Sequence, residues 1–343
     1  MQAGLVTGKH RIELREFPDP RPAPGTAVVQ IAYCGICGTD VHAYQSGAPY
    51  NPAICGHEWS GTVSHAAPDG GPREGDRVAM GIAAACGRCT TCLRGDHDHC
   101  EQAFAGLIGQ GPLAAAHGGF APAIAIDASR LYAVARGIDD ASAALLEPAT
   151  IALHAVRRTP MRLGDVVVVI GAGPIGLLVA QCARLAGAGT LMVVEPSAER
   201  RAIAGQLGAE VLIDPNQEDT ADRIRQVSGR DGADVVFECA GIPATVDTAV
   251  ALCRRGGAAS LVGVPEGAST IQTAAWLVKE IRLNASLGYQ REEFDLTQAL
   301  VLDGRLKLPP LHTSTVDLEG LPKAFETLAR DPDEIKILVK PTA

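Results

Sequence analysis

The stretch VVVVIGAGPIGLLVAQCA, Val166 to Ala183, constrains the fold more than any other part of this 343-residue chain. Its eighteen residues carry no charge, which raises the question of a membrane span. The internal order points elsewhere: a run of β-branched residues, then glycines and a proline, then an apolar helical pattern ending at Arg184 read as strand, tight turn and helix. Gly171, Gly173 and Gly176 fit G-x-G-x-x-G. The first permits the turn, the second lets the backbone approach a pyrophosphate, and the third lets the helix pack on the strand. The phosphate then lies at a helix N-terminus, among free N–H groups. A second strand, TLMVVE, closes at Glu195, nineteen residues past Gly176, near the spacing of about twenty for an acid that accepts hydrogen bonds from the adenosine ribose. Such a carboxylate repels a 2′-phosphate, so NAD is expected over NADP, although Arg200 and Arg201 follow closely and arginine here can serve a 2′-phosphate.

The alternation continues through VLI (Val211 to Ile213), DVVFECAG (Asp234 to Gly241), AASLVGV (Ala258 to Val264) and IRLNASL (Ile281 to Leu287). Strand and helix in turn predict an α/β domain built on a doubly wound parallel sheet, from His154 to Leu287. Residues Met1 to Leu153 differ. Pro and Gly are frequent, as in PDPRPAPG (Pro18 to Gly25), and short runs such as TAVVQIAY (Thr26 to Tyr33) suggest an antiparallel β-rich domain with long loops. From Gly288 to Ala343 a helical stretch (Glu293 to Leu302) and a last strand, IKILVK (Ile335 to Lys340), are expected to rejoin the first domain.

Charge restricts the partners. Thirty Lys and Arg against 39 Asp and Glu give a net −9, which repels phosphate backbones and anionic lipid, so neither nucleic acid nor membrane is expected. The opening MQAGLVTGKHRIELREF has no apolar run of the secretory kind, and the thiols are expected to stay reduced in the cytoplasm.

Two clusters then call for metal. CGRCTTCLRGDHDHC places Cys86, Cys89, Cys92 and Cys100 in a Cys-x2-Cys-x2-Cys-x7-Cys spacing that wraps four thiolates around a tetrahedral ion. A four-sulfur site is closed to substrate and reads as structural zinc, with an iron–sulfur cluster as the alternative. CGICGTDVHAY (Cys34 to Tyr44), GHEWSG (Gly56 to Gly61) and LLEPA (Leu145 to Ala149) supply Cys37, His57, Glu58 and Glu147, a mixed set that leaves zinc open to water or an alcohol.

With GHE at Gly56 to Glu58, the four-cysteine lobe, Glu147-Pro148 and GAGPIG followed by Glu195, the whole chain resembles the zinc-dependent medium-chain alcohol and polyol dehydrogenases. The resemblance implies a GroES-like catalytic domain beside a Rossmann domain. It also implies two zinc ions per chain, one catalytic and one structural, and a dimer or tetramer. Cys37, His57 and a glutamate become the catalytic ligands, with Glu58 and Glu147 competing for direct or water-mediated contact. Glu147 stands where alcohol dehydrogenases proper carry cysteine, which points to the sorbitol, butanediol and threonine dehydrogenase branch. Around the nucleotide the resemblance adds Pro174, Ile175, Val262, Val264, Ser286 and Leu287. The reaction implied is hydride transfer from a secondary alcohol to NAD, giving a ketone. Thr39 takes a hydrogen bond from substrate and passes its proton on, His42 is the exit, and Asp40 orients a ligand. A zinc hydrolase and a zinc-containing, dinucleotide-binding sensor or scaffold are the rival readings. The substrate depends on loops such as Tyr44 to Tyr50 and Phe104 to Gly119.

Overall fold

A computed structural model describes residues 1–265, 267–331 and 333–342. The polypeptide divides into two units, one of Met1–Glu147, Gly288–Asp303 and His312–Ala343, the other of Pro148–Leu287 and Gly304–Leu311.

The apolar run resolves into the strand Val166–Ile170 and the helix Pro174–Leu185. All five strand residues are buried, as a central parallel strand covered on both faces requires, and this explains the lack of charge. Proline opens the helix at a position whose N–H has no intrahelical partner. Among the described residues no helix is long and apolar enough to cross a membrane.

Around that strand the second unit forms a sheet whose described strands run Val211–Ile213, Thr190–Val194, Val166–Ile170, Ala233–Glu238, Cys253–Leu261, Arg282–Ala285, all parallel. In chain order this is 3-2-1-4-5-6, the doubly wound arrangement expected, with its topological switch between Val166–Ile170 and Ala233–Glu238. Ala233–Glu238 and Arg282–Ala285 both end short of the stretches read from the sequence, and the strand of AASLVGV departs furthest. It spans Cys253–Leu261 rather than starting at Ala258, because the register slips opposite Ala233–Val235, near Gly256 with φ +71°. It also stops before Val262, where the N–H groups of Val262 and Gly263 both turn to the Glu238 carbonyl.

In the first unit the strand Thr26–Gly35 pairs antiparallel with Glu58–His65, Ala123–Asp127 and Lys336–Val339. Arg77–Met80 and Leu131–Ala133 extend one side of the sheet, and His312–Val316 joins Lys336–Val339 in parallel on the other. Trp59, Phe120 and Phe325 fill the core beneath. Register decides what meets at one end: Gly35 faces Glu58 on one neighbour and Leu338 on the other.

Candidate active site

Cys37 follows the end of one strand and Glu58 opens its partner, so the Gly35–Glu58 pairing brings the two conspicuous motifs together. The helix Gly38–Ser46 starts at Cys37, whose N–H donates to Asp40 Oδ2 at 3.0 Å. Asp40 Oδ1 accepts from Gly56 N–H at 3.2 Å and from the Tyr50 hydroxyl. One buried carboxylate thus ties the loop carrying Cys37 to the loop carrying His57.

Ligand atoms of Cys37, His57 and Glu58 lie within 4.8 Å of one another. His57 Nδ1–H donates to the Ile54 carbonyl at 3.0 Å, which fixes the ring and leaves Nε2 for a metal. Burial opposes a charge on this imidazole, yet the Cys37 sulfur, Asp40 and Glu147 outweigh it and push the pKa up. The same negative field favours a dication. Glu58 Oε2 accepts from Lys336 Nζ at 2.6 Å, and Nζ also donates to the Ile36 carbonyl at 2.9 Å. Burial alone pulls the Lys336 pKa down, but Glu58 reverses the direction. Glu147 is buried outside the three-ligand group, and desolvation lifts its carboxyl to about 7 against the pull of His57. A thiolate, an imidazole and a carboxylate suit zinc and leave a coordination position open. Thr39 Oγ1 stands 3.7 Å from Cys37 Sγ, and His42 follows three residues on, on the same helix face.

The four sulfurs of Cys86, Cys89, Cys92 and Cys100 also lie within 4.8 Å of one another. Cys89 Sγ and Cys100 Sγ are 3.9 Å apart. Sulfurs about 2.3 Å from a tetrahedral zinc stand about 3.8 Å from each other, so the spacing fits the ion. Backbone N–H groups of Cys86 and Cys89 donate to Cys100 Sγ and Cys86 Sγ, each at 3.3 Å, as suits thiolates. No described cysteine forms a disulfide.

In the second unit Gly171 has φ +92°, and a Cβ at Gly176 would sit 1.9 Å from the Gly171 carbonyl oxygen. At Gly173 the nearest heavy atom to such a Cβ is Arg200 Nη1, 3.9 Å away, so the loop is open there beside Pro174 and Ile175. Glu195 Oε2 accepts from Ala172 N–H at 2.7 Å and Oε1 from Ser197 N–H at 2.9 Å. Its carboxylate is thereby fixed at the mouth of the glycine turn. Arg201 is engaged with the Glu195 and Pro196 carbonyls and with Asp214. Val262, Val264, Ser286 and Leu287 fall just past their strands' carboxyl ends, the edge of the sheet where α/β folds receive ligands.

Sequence reasoning gave Lys336 no role. Its signal is a single cation inside the apolar strand IKILV, at a core position that only a paired charge tolerates.

Residues 23–136 match the family model for the alcohol dehydrogenase GroES-like domain, and residues 174–302 match that for zinc-binding dehydrogenase. The chain is 32% identical to 2-dehydro-3-deoxy-L-galactonate 5-dehydrogenase of Pseudoalteromonas atlantica, over 99% of this chain and 98% of the relative. It is 31% identical to (R,R)-butanediol dehydrogenase of Bacillus subtilis, over 99% and 100%. A crystal structure of a zinc-binding dehydrogenase from Sinorhizobium meliloti 1021 bound to NADP superposes with a TM-score of 0.85 at 28% identity, covering 99% of each chain.

Proposed function

The chain belongs to the zinc-dependent medium-chain alcohol and polyol dehydrogenases and oxidises or forms secondary alcohols, and from that premise we propose that it is an NAD-preferring enzyme with two zinc ions per chain. The observation that carries the reading is the convergence of Cys37, His57 and Glu58 within 4.8 Å, in a chain whose other unit holds the glycine turn and Glu195.

Cys37, His57 and Glu58 would hold the catalytic zinc, with the Glu147 carboxylate in reserve as a further ligand. When bound there, zinc supplies a Lewis acid that lowers the pKa of a substrate hydroxyl, and NAD supplies the hydride acceptor. Held at the glycine turn and Glu195, NAD would take the hydride of the carbinol carbon, and the hydroxyl proton would leave to solvent. Thr39 accepts that proton's hydrogen bond and passes it toward His42. Asp40, with Tyr50, keeps the Cys37 and His57 loops in register, and Lys336 balances the Glu58 charge. Cys86, Cys89, Cys92 and Cys100 would hold the structural zinc. Gly171, Gly173, Pro174, Ile175, Gly176, Val262, Val264, Ser286 and Leu287 would line the nucleotide, Glu195 would take the ribose hydroxyls, and Arg200, near Gly173, would border the same site. Four thiols arranged for metal rather than disulfides favour a reducing cytoplasm, and a homo-oligomer, dimer or tetramer, completes the reading.

The test is reduction of NAD across a panel of secondary alcohols, diols, polyols, amino alcohols and sugar acids. Turnover with at least one, with NADP a poorer acceptor, is expected; a panel that gives none contradicts the reading.

A further inference from the structure

Arg130 ends the helical turn Ala128–Arg130 and is 6% exposed. Two reciprocal bonds fix it: Gly81 N–H donates to the Arg130 carbonyl at 2.7 Å, and Arg130 Nε donates to the Gly81 carbonyl at 3.1 Å. The guanidinium is left with Nη2 buried and unpartnered, and no carboxylate lies within ion-pair distance of it among the described residues. An isolated buried cation costs several kcal/mol, so a partner that arrives with the substrate accounts for its retention.

A second orphan lies in the same neighbourhood. Tyr289 is 8% exposed, and its hydroxyl is buried without a partner among the described residues. Arg130 grips Gly81, and a Cβ added at Gly288 would lie 3.1 Å from the Ile82 side chain, so the two orphans flank the same Gly81–Ile82 segment; the charges of Arg130 and Glu147 both act on the Tyr289 hydroxyl, and that of Glu147 acts on His57 as well. The neighbouring Tyr132 is already committed, its hydroxyl donating to the Ile82 carbonyl at 2.8 Å and its ring carrying the Arg291 guanidinium at 4.4 Å.

Arg130 Nη2 can only donate, and Tyr289 has a hydrogen to give, so both call for an acceptor. A neutral hydroxyl would answer the hydrogen bonds and leave the charge uncompensated. A phosphate monoester would bring a second negative charge beside Glu147. A carboxylate brings one charge and two acceptor oxygens, and matches both donors.

Resting on the dehydrogenase reading above, we propose that the substrate is a polyhydroxy carboxylic acid whose carboxylate is received by Arg130 Nη2 and the Tyr289 hydroxyl, while a secondary hydroxyl meets the metal centre. Arg130 and Tyr289 are then specificity residues of this site.

The test compares kcat/KM of the intact zinc enzyme for five- and six-carbon aldonates of every configuration, each against the alditol of the same configuration and that alditol's phosphate. The best aldonate is expected to exceed its alditol by about a hundredfold, the scale of a buried charge pair. Arg130→Met should bring that ratio near one, Arg130→Lys should keep part of it, and Tyr289→Phe should lower it by about tenfold. Zinc content and thermal midpoint are read for each variant, and if Arg130→Met does not fold, the other two carry the test. Preference for alditols or phosphates, or equal losses on aldonate and alditol in the variants, overturns the proposal. Ready oxidation of alditols with refusal of aldonates removes this inference alone. Failure of every alcohol to reduce the nucleotide removes the dehydrogenase reading and this inference with it.

Discussion

Lys336 and Glu58, 278 residues apart in sequence, form a buried ion pair with Nζ 2.6 Å from Oε2 and both side chains 2% exposed. The pairing of Lys336–Val339 with Thr26–Gly35 delivers the lysine, and the start of Glu58–His65 delivers the carboxylate. One oxygen of Glu58 is thereby neutralised inside the protein and the other is free for a metal.

In the zinc-free protein, replacing Lys336 by Met should leave that carboxylate buried and unpaired, a loss of about 3–5 kcal/mol that bound zinc would partly offset. Lys336→Arg should recover part of it. Urea unfolding together with zinc content checks both, and a Lys336→Met protein as stable and as zinc-replete as the parent shows the pair to be idle.

The second unit offers a pH-dependent case. Burial pushes the Asp234 carboxyl up, but the Val166 N–H, the Arg254 hydrogen bond and the Arg230 and Arg254 charges prevail and hold its pKa below the usual range. The unfolded chain binds this proton more readily, so the stabilisation is complete above the ordinary value of about 4 and is lost as pH falls through the lower folded value. Asp234→Asn should therefore destabilise by about 1–3 kcal/mol near neutrality, with the gap to wild type closing in acid. Unfolding curves at several pH values decide it; a gap that stays constant into acid excludes the ionic explanation.

The strand, turn and helix at Val166–Leu185 were legible because their signals are local: an apolar run, a glycine spacing and a proline within one window. The clustering of the four cysteines was legible for the same reason, the sulfurs that meet within 4.8 Å falling within fifteen residues. Cys37, His57 and Glu58 could be nominated singly, but their meeting follows from strand register, which a sequence window does not show. Lys336, Arg130 and Tyr289 carry no motif. Lys336 shows in sequence only as a lone cation in an apolar strand, and the roles of all three rest on buried polar groups whose partner is either distant in sequence or missing.

Glu195 offers a specificity test. Changing it to Ser removes both ribose acceptors and the repulsion of a 2′-phosphate, so the ratio of kcat/KM for NAD over NADP should fall by about tenfold or more. A wild-type protein that already prefers NADP would sink that assignment.

The cysteine lobe predicts a separation of structure from chemistry. Cys92→Ser should release one zinc per chain and lower the thermal midpoint, while the folded fraction still turns over. Metal analysis of purified protein checks it, and an unchanged zinc content reassigns the lobe.

In the proton relay, Thr39→Val should keep zinc and nucleotide binding yet slow turnover by about a hundredfold, the usual scale for a lost proton-transfer group. His42→Ala should be milder, since water can stand in for an exit group. A Thr39→Val enzyme at full speed excludes the relay.

The most direct measurement is alcohol-dependent reduction of NAD by His57→Ala, in protein shown to be folded, to bind NAD and to retain the zinc of the cysteine lobe. Loss of the metal centre should lower turnover by about three orders of magnitude or more, because Lewis-acid activation supplies several kcal/mol of the barrier reduction. Oxidation at the wild-type rate by that variant would contradict a catalytic metal at Cys37, His57 and Glu58.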